Sequence, residues 1–312
     1  MNSMRDPFKI DGPTCISFSG GRTSAYMLWR VLQSNGGLPT EAKVCFANTG
    51  KEEEATLRFV RDCGKQWGVD ITWLEYINQK EHDSASDVYA DELCFIAGQE
   101  QPKRGSQLWV ACDFESAARN GEPYEAVIAQ RGGYLPNRVA RYCSSELKTR
   151  TMHRYLRWCG WTEWETFIGI RADEPRRVAK FKENTRPETK SEVVYMPLAQ
   201  VGISASDVGK FWNEQSFDLE LPNNGGKTMH GNCDLCFLKP VSQVQSLISE
   251  KPERAIWWAK QEIKAKAAGI GFSGARFRDD RPSYADMKLM AEKQVSLVGF
   301  EHEESQSCYC GE

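Results

Sequence analysis

Apolar residues come in short runs that alternate with longer stretches at helical spacing. The first run, Cys15 to Phe18, has the length and composition of a buried strand. From Ser24 to Gln33, Ala25, Leu28 and Leu32 recur at helical intervals with Met27 and Val31 beside them, and Ser34-Asn35-Gly36-Gly37 stops the pattern. Lys43 to Ala47 predicts a second strand, leading into Asn48-Thr49-Gly50. Leu57, Val60 and Gly64 then carry a helical pattern, and Val69 to Glu75 predicts a third strand. Strands and helices that alternate at this spacing imply a parallel sheet with helices on its faces.

The middle of the chain, from Gln79 to Arg138, is interrupted by Gly, Pro and Arg. A helix over Ser106 to Ala118 is the reading that fits there. A helix is expected from Ser145 to Trp158, and strands from Glu165 to Ile170 and from Glu192 to Met196. Further helices are expected at Ser206 to Glu214, Val241 to Ile248 and Pro252 to Ala268, the last bearing Trp257 and Trp258. Core packing or subunit contact accounts for the tryptophans of the second half, such as Trp158, Trp161 and Trp164, better than base stacking does. No internal repeat or low-complexity tract is present.

At 312 residues with 40% hydrophobic and 27% charged content, the chain suits one or two globular domains. A formal net charge of −3 argues against nucleic acid coating the whole surface, but leaves room for a local basic face. No apolar run reaches membrane-spanning length and Met1 to Lys9 lacks a signal-peptide core, so a cytoplasmic protein with no membrane partner is expected. Eleven cysteines are many for a reducing compartment, and an odd number cannot pair completely. Cys15 and Cys45, inside apolar runs, read as small buried residues. The clustered cysteines need another explanation.

The hand-over from the first strand to the first helix is Ser17-Phe18-Ser19-Gly20-Gly21-Arg22-Thr23-Ser24. Two glycines at a helix start let backbone N–H groups come close to a ligand at the helix's positive end, which suits an anion, and phosphate above all. Ser17, Ser19, Thr23 and Ser24 add hydroxyls and Arg22 adds charge. A glycine turn followed by an N-cap serine would explain the same residues without a ligand. The Walker pattern is absent.

The stretch resembles the S-G-G-x-[DT]-S pyrophosphate loop of the adenine nucleotide alpha hydrolases. "VCFANTGKEEEATLRFV" resembles the D-T-G-x-x-x-x-E-T element of the phosphoadenylyl-sulfate (PAPS) reductase family, with Asn48 where Asp is common and Ala55-Thr56 where Glu-Thr is usual. "RYCSSELKTRTMHRYL" resembles that family's R-x-C-C-x-x-x-K, and "FIGIRADEPRRVAKF" its G-x-R-x-x-x-x-x-R. "VVYMPLAQVGISASDVGKFW" resembles the approach to its second cysteine element, and "HGNCDLCFLK" its G-C-x-x-C. Together with the glycine loop, these five elements span residues 14 to 240 in order. The resemblance implies an α/β fold of the adenine nucleotide alpha hydrolase type: a doubly wound, mostly parallel sheet over residues 1–240, with a helical extension and cysteine-containing tail over 241–312. It implies that ATP or an adenylyl sulfate lies against Ser17, Ser19, Gly20, Gly21, Arg22, Thr23, Ser24 and Gly169, with Phe46, Asn48, Thr49 and Gly50 shaping the nucleoside pocket. Lys148, Arg171, Arg176 and Arg177 become candidates for phosphate or sulfate charge, Lys148 and Arg171 as catalytic residues. Solvated surface arginine is the plainer reading of Arg176 and Arg177.

Cys233-Asp234-Leu235-Cys236 is a C-x-x-C, suited to a metal centre or a redox pair. Zinc would want four tetrahedral ligands and a [4Fe–4S] cluster four thiolates. The resemblance favours iron–sulfur, with Cys143, Cys233 and Cys236 as ligands. Because Tyr142-Cys143-Ser144 lacks one of the family's paired cysteines, Cys308 or Cys310 from the polar tail is expected as the fourth; His230 is the other option.

The resemblance implies two reactions. In one, ATP adenylates an oxygen of a nucleic acid or small molecule with release of pyrophosphate, and a sulfur then displaces AMP. In the other, a tail thiolate, Cys308 or Cys310, attacks the sulfur of an adenylyl sulfate, and a thiol reductant releases sulfite. The Ser-Gly-Gly-Arg-Thr-Ser loop favours the first, and the terminal cysteines the second, although the tail lacks the reductases' E-C-G-x-H. A non-catalytic nucleotide- or nucleic-acid-binding module is the third reading. Arg131, Arg138, Arg141, Lys148, Arg150 and Arg154, interleaved with Tyr134, Tyr142 and Tyr155, would supply a basic face for it. The implied partners are an adenine nucleotide and a sulfur donor or thiol reductant, with a nucleic-acid substrate and a homo-oligomer left open.

Overall fold

The computed structural model describes residues 6–78, 108–182, 191–224, 227–228, 230–231 and 233–293. Six strands form one sheet: β1 (Thr14–Ser17), β2 (Ala42–Asn48), β3 (Ile71–Glu75), β4 (Val110–Cys112), β5 (Trp164–Ile168) and β6 (Glu192–Tyr195). Their spatial order is β4-β3-β2-β1-β5-β6, and every pairing is parallel except that of β3 with β4. The chain therefore winds outward from β1 in one direction and returns to its other side at β5. This places a topological switch point between the carboxyl ends of β1 and β5.

Both faces of the sheet are covered, so its strands are apolar at successive positions rather than alternately. In β2, Val44 and Phe46 face a core shared with α1 (Arg22–Asn35) and α2 (Glu54–Trp67), while Cys45 and Ala47 face a second core under Met152, Tyr155 and Leu156. The buried Cys15 belongs to that second core, as its setting in the sequence implied. α1 begins at Arg22, two residues before the expected start, because Gly21 takes the extended N-cap conformation. Left-handed glycines, Gly36 and Gly68, end α1 and α2.

The helix expected over Ser106 to Ala118 is a correction. Within its described part, residues 108–112 lead into and form β4, paired antiparallel with β3 at Leu74–Ala111. A turn follows in which Asp113 accepts hydrogen bonds from the Ser116 amide at 2.8 Å and hydroxyl at 2.6 Å. A side chain that satisfies local amides in this way competes with helix. Trp109 anchors the segment edge-on to Tyr155 and Trp158.

The helix expected over Ser145 to Trp158 exists but is not uniform. A turn at Tyr142–Ser144 passes into a π-helical segment, Ser145–Arg150, and then into α4 (Thr151–Trp158). The Thr151 hydroxyl donates to the carbonyl of Glu146 at 2.7 Å, five residues back.

Helices that the apolar pattern did not single out are α3 (Glu122–Gln130), α5 (Pro175–Lys182), the single turn α6 (Pro197–Gln200) and α10 (Tyr284–Glu292). α7 (Ala205–Asn213), α8 (Val241–Glu250) and α9 (Arg254–Ala267) lie where helices were expected. A third core joins α3, residues 233–238, α8, α9 and α10 around Trp258, which is fully buried and stacked on Tyr284 at 5.3 Å. Among the described residues no helix is long and apolar enough to cross a membrane.

Candidate functional site

A crevice opens at the switch point. Its lining comes from the end of β1 and the loop after it (Ser17, Phe18, Ser19), from Ser24 on α1, from Lys148 on the π-helical segment, and from Ile168, Gly169 and Arg177 around the end of β5. α1 points its amino end at this crevice, and its first amides have no acceptor within the helix. The loop is tightly built. The Ser24 hydroxyl lies 2.9 Å from that of Ser19 and 3.0 Å from the Gly21 carbonyl, and it accepts from the Ser19 amide at 3.2 Å. Gly20 has φ +77°, and a Cβ there would come within 2.6 Å of Thr56. Gly169 lets β5 end against α1, since a Cβ would stand 3.0 Å from the Ser24 Cα. Phe46, buried against Trp73, lies beneath the loop, 3.3 Å from where a Gly20 Cβ would be.

The arginines divide by task. Arg22 holds Asp218 through two bonds of 2.7 and 2.6 Å and also donates to Thr228 and Leu221, so its charge is committed to the 218–228 segment rather than to the crevice. The buried Arg171 donates to the Thr23 hydroxyl at 2.9 Å and to Asp173 at 2.9 Å, fastening the loop after β5 to the start of α1. Arg177 lines the crevice and pairs with Glu174, whereas Arg176 is exposed.

Behind the crevice, Asn48 is fully buried and organises the turn after β2. Its amide donates to Glu75 at 2.6 Å and to the Ala118 carbonyl at 2.8 Å, and its oxygen accepts from the Gly50 amide at 3.0 Å. Glu52 closes the turn by accepting from the Thr49 amide and hydroxyl at 3.0 and 2.7 Å, and its other oxygen lies 3.5 Å from the Lys148 ammonium. Lys148 thus reaches the crevice while tied to the turn.

The cysteine loop docks directly on this turn. Cys233 Sγ is 3.3 Å from the Thr49 hydroxyl, and the Asp234 amide donates to the Lys51 carbonyl at 2.7 Å. Asp234 also accepts from the Trp258 indole at 2.9 Å and lies 3.4 Å from Lys51 Nζ. The buried Lys239 donates to the Cys233 and Asp234 carbonyls at 2.8 and 2.7 Å, and Arg278 to that of Phe237 at 3.1 Å, so buried cations surround the loop. Burial first, and then the Glu52 carboxylate, push the Cys233 thiol well above its usual range, with Lys148 opposing them. Cys143 comes to the same place. It shares an apolar cluster with Tyr124, Cys233 and Cys236, and burial first, then the charges of Cys143, Cys233 and Cys236, push up the Tyr124 phenol. Among the described residues no group of three or more His, Cys, Asp and Glu is spaced to hold a metal ion. Cys308 and Cys310 lie outside the described residues. His230 sits 3.2 Å from Glu250.

No protein-family model matches the chain. It is 28% identical over 234 residues to the uncharacterized nin region protein ORF290 of Escherichia phage lambda, a match that covers 73% of this chain and 67% of that protein. That description names no activity.

Several residues of the site escaped the sequence reading. Glu52, three positions after Thr49, has the spacing of a side chain that reaches back to an earlier amide, which is a legible signal. Glu75 and Tyr124 carry no such signal, because their partners are distant in the chain, and Lys239 carries none because it bonds to backbone carbonyls that no residue type announces. The basic run is also less free than its charge suggests: the buried Glu146 gathers Arg131, Arg150 and Arg154 at 2.8, 2.7 and 3.1 Å.

Proposed function

We propose that the chain is a PAPS reductase-family protein of the adenine nucleotide alpha hydrolase superfamily, which binds ATP at the switch-point loop and uses it for adenylation and sulfur transfer. The observation that carries this reading is the contact of the cysteine loop with the turn after β2, Cys233 to Thr49 and Asp234 to Lys51, beside a crevice lined by Ser19, Ser24 and Lys148. A crevice whose Lys148 reaches Glu52 of the same turn on which the cysteine loop docks suits a reaction in which an activated nucleotide meets sulfur.

The residues have separable duties. The amides at the start of α1 and the hydroxyls of Ser19 and Ser24 take the phosphates, with α1's positive end favouring negative charge. Lys148, steadied by Glu52, and Arg177, steadied by Glu174, offer charge to the leaving pyrophosphate. Arg171 acts one step back, fixing Thr23 and the loop geometry. By donor type alone, Cys143, Cys233 and Cys236 suit a [4Fe–4S] cluster, with Cys308 or Cys310 as the fourth ligand. Cys143, Cys233 and Cys236 would hold it, and it would supply sulfur binding or electron transfer.

The test uses protein purified without oxygen. Iron content is measured, ATP is tested for pyrophosphate release, and an adenylyl sulfate plus thioredoxin for sulfite. Pyrophosphate without sulfite, lost in Lys148→Ala, is the expected result. Sulfite would replace the reading with a sulfonucleotide reductase, and ATP binding without either product would replace it with a binding module. Iron-free protein that still turns over would remove the cluster.

A further inference from the structure

A second concavity lies apart from the switch-point crevice. It is a solvent-open groove of about 710 Å³ between the 134–141 loop, with Tyr134, Arg138 and Arg141, and the 273–279 loop, with Ser273, Phe277 and Arg278. The two loops are fastened together: the Leu135 amide donates to the Gly274 carbonyl at 2.8 Å, and the Tyr134 ring lies so close over Gly274 that a Cβ there would meet it at 2.4 Å. The groove belongs to the most basic part of the chain. Residues 131–157 contain seven Lys and Arg and one acid, Glu146, and of these Arg138 and Arg141 line the groove, with Arg278 on the opposite wall. The groove's lining acid is Asp279, and the next residue, Asp280, is shared by Arg138 at 2.8 Å and Arg278 at 2.6 Å.

Apolar groups stand exposed among these charges. Tyr134 is 39% exposed, Val139 at the loop tip 95%, and Phe272, next to the opposite wall, 65%. Arginines beside exposed ring and apolar faces on a pre-formed groove match a ligand with a regularly charged backbone and unpaired flat bases. A duplex would present phosphates but hide its bases. Both walls also end at the candidate site: the 134–141 loop runs through Tyr142 into Cys143, and Arg278 holds the carbonyl next to Cys236.

We infer that this groove binds a single-stranded polynucleotide and leads it toward the cysteine loop. The inference gives the proposed reaction a substrate class, and it rests on that reading only for what happens to the bound strand.

Fluorescence anisotropy of the full chain, with no ATP added, tests it. The probes are labelled mixed-sequence oligomers of about 20 nucleotides, single-stranded DNA, single-stranded RNA and duplex DNA, titrated between about 50 and 200 mM salt. At least one single strand should bind, more weakly as salt rises, and the tighter of the two names the natural polymer. Arg138→Gln/Arg141→Gln should weaken binding about tenfold and lower the log–log salt slope by roughly one to two. If that pair destabilises the fold, Arg138→Gln alone, at a half-exposed side chain, should show about half of the slope change. Tyr134→Ala should weaken binding about fivefold or more with the slope unchanged. Arg157→Gln, exposed at the far end of α4, should bind as the parent does. The inference is overturned if neither single strand binds, if the groove variants bind like the parent, if Arg157→Gln loses as much as they do, or if duplex binds more tightly than both strands. The first of these outcomes would leave the groove to a protein partner.

Discussion

The amide of Asn48 faces a carboxyl group that ordinary rules would keep away from the interior. Glu75 is buried, and burial raises its pKa above the usual carboxylate range, against the hydrogen bonds from the Ala118 amide and Asn48 that favour the ion. An aspartate at position 48 would set two carboxyl groups where the amide now bonds at 2.6 Å. Asn48→Asp should therefore cost about 2–4 kcal/mol in urea unfolding at neutral pH, and adding Glu75→Gln should recover part of it by restoring an amide–carboxylate pair. The sign with pH follows from linkage. Glu75 binds its proton more tightly folded than unfolded, so its contribution is most favourable below the ordinary glutamate range and declines as pH rises through the raised folded value. Glu75→Gln keeps an acceptor for Asn48 and Ala118, and it should flatten that decline and raise the melting temperature at alkaline pH, as calorimetry at several pH values would reveal.

At the scale of elements, the site depends on how closely β5 and α1 meet. Gly169→Ala would press a methyl group against the Ser24 backbone and part the strand end from the helix start. We expect a loss of about 1–3 kcal/mol in stability together with at least a tenfold weaker ATP affinity by calorimetric titration, whereas a swap at exposed Arg176 should change neither by much. Most of these elements were legible. Cys15 to Phe18 and Lys43 to Ala47 are apolar at consecutive positions, as strands covered on both faces must be. β4 was not legible, because three residues gain their strand identity from pairing with β3 and from Trp109 packing on α4. The glycine loop was readable as the turn from the first strand into the first helix, but the commitment of Arg22 to Asp218 was not, since nothing near Arg22 in the chain announces an acid so far along it.

Across the whole molecule, Asp234 joins three regions: it meets Lys51 beside the turn after β2, Trp258 of α9, and its own loop through the Leu235 amide at 2.7 Å. Asp234→Ala leaves a buried indole N–H and a nearly buried lysine without their acceptor. It should lower stability by about 2–4 kcal/mol, and near-ultraviolet circular dichroism should report the loosened Trp258. Trp258→Ala removes a fully buried ring from the third core and should cost about 3–5 kcal/mol. The order of the cysteines was readable in the sequence, but their sharing one core with Tyr124 was not, because α3, which supplies the phenol, lies in the middle stretch that Gly, Pro and Arg interrupt.

Cys143 and Cys233 are separated in the chain by β5, β6 and the helices between them, and Cys233 meets Thr49 just past the end of β2. During synthesis, then, the thiols emerge one by one from the ribosome as isolated side chains. Neither can find the other through neighbours in the chain, so their common setting exists only where the sheet that carries Thr49 is in place.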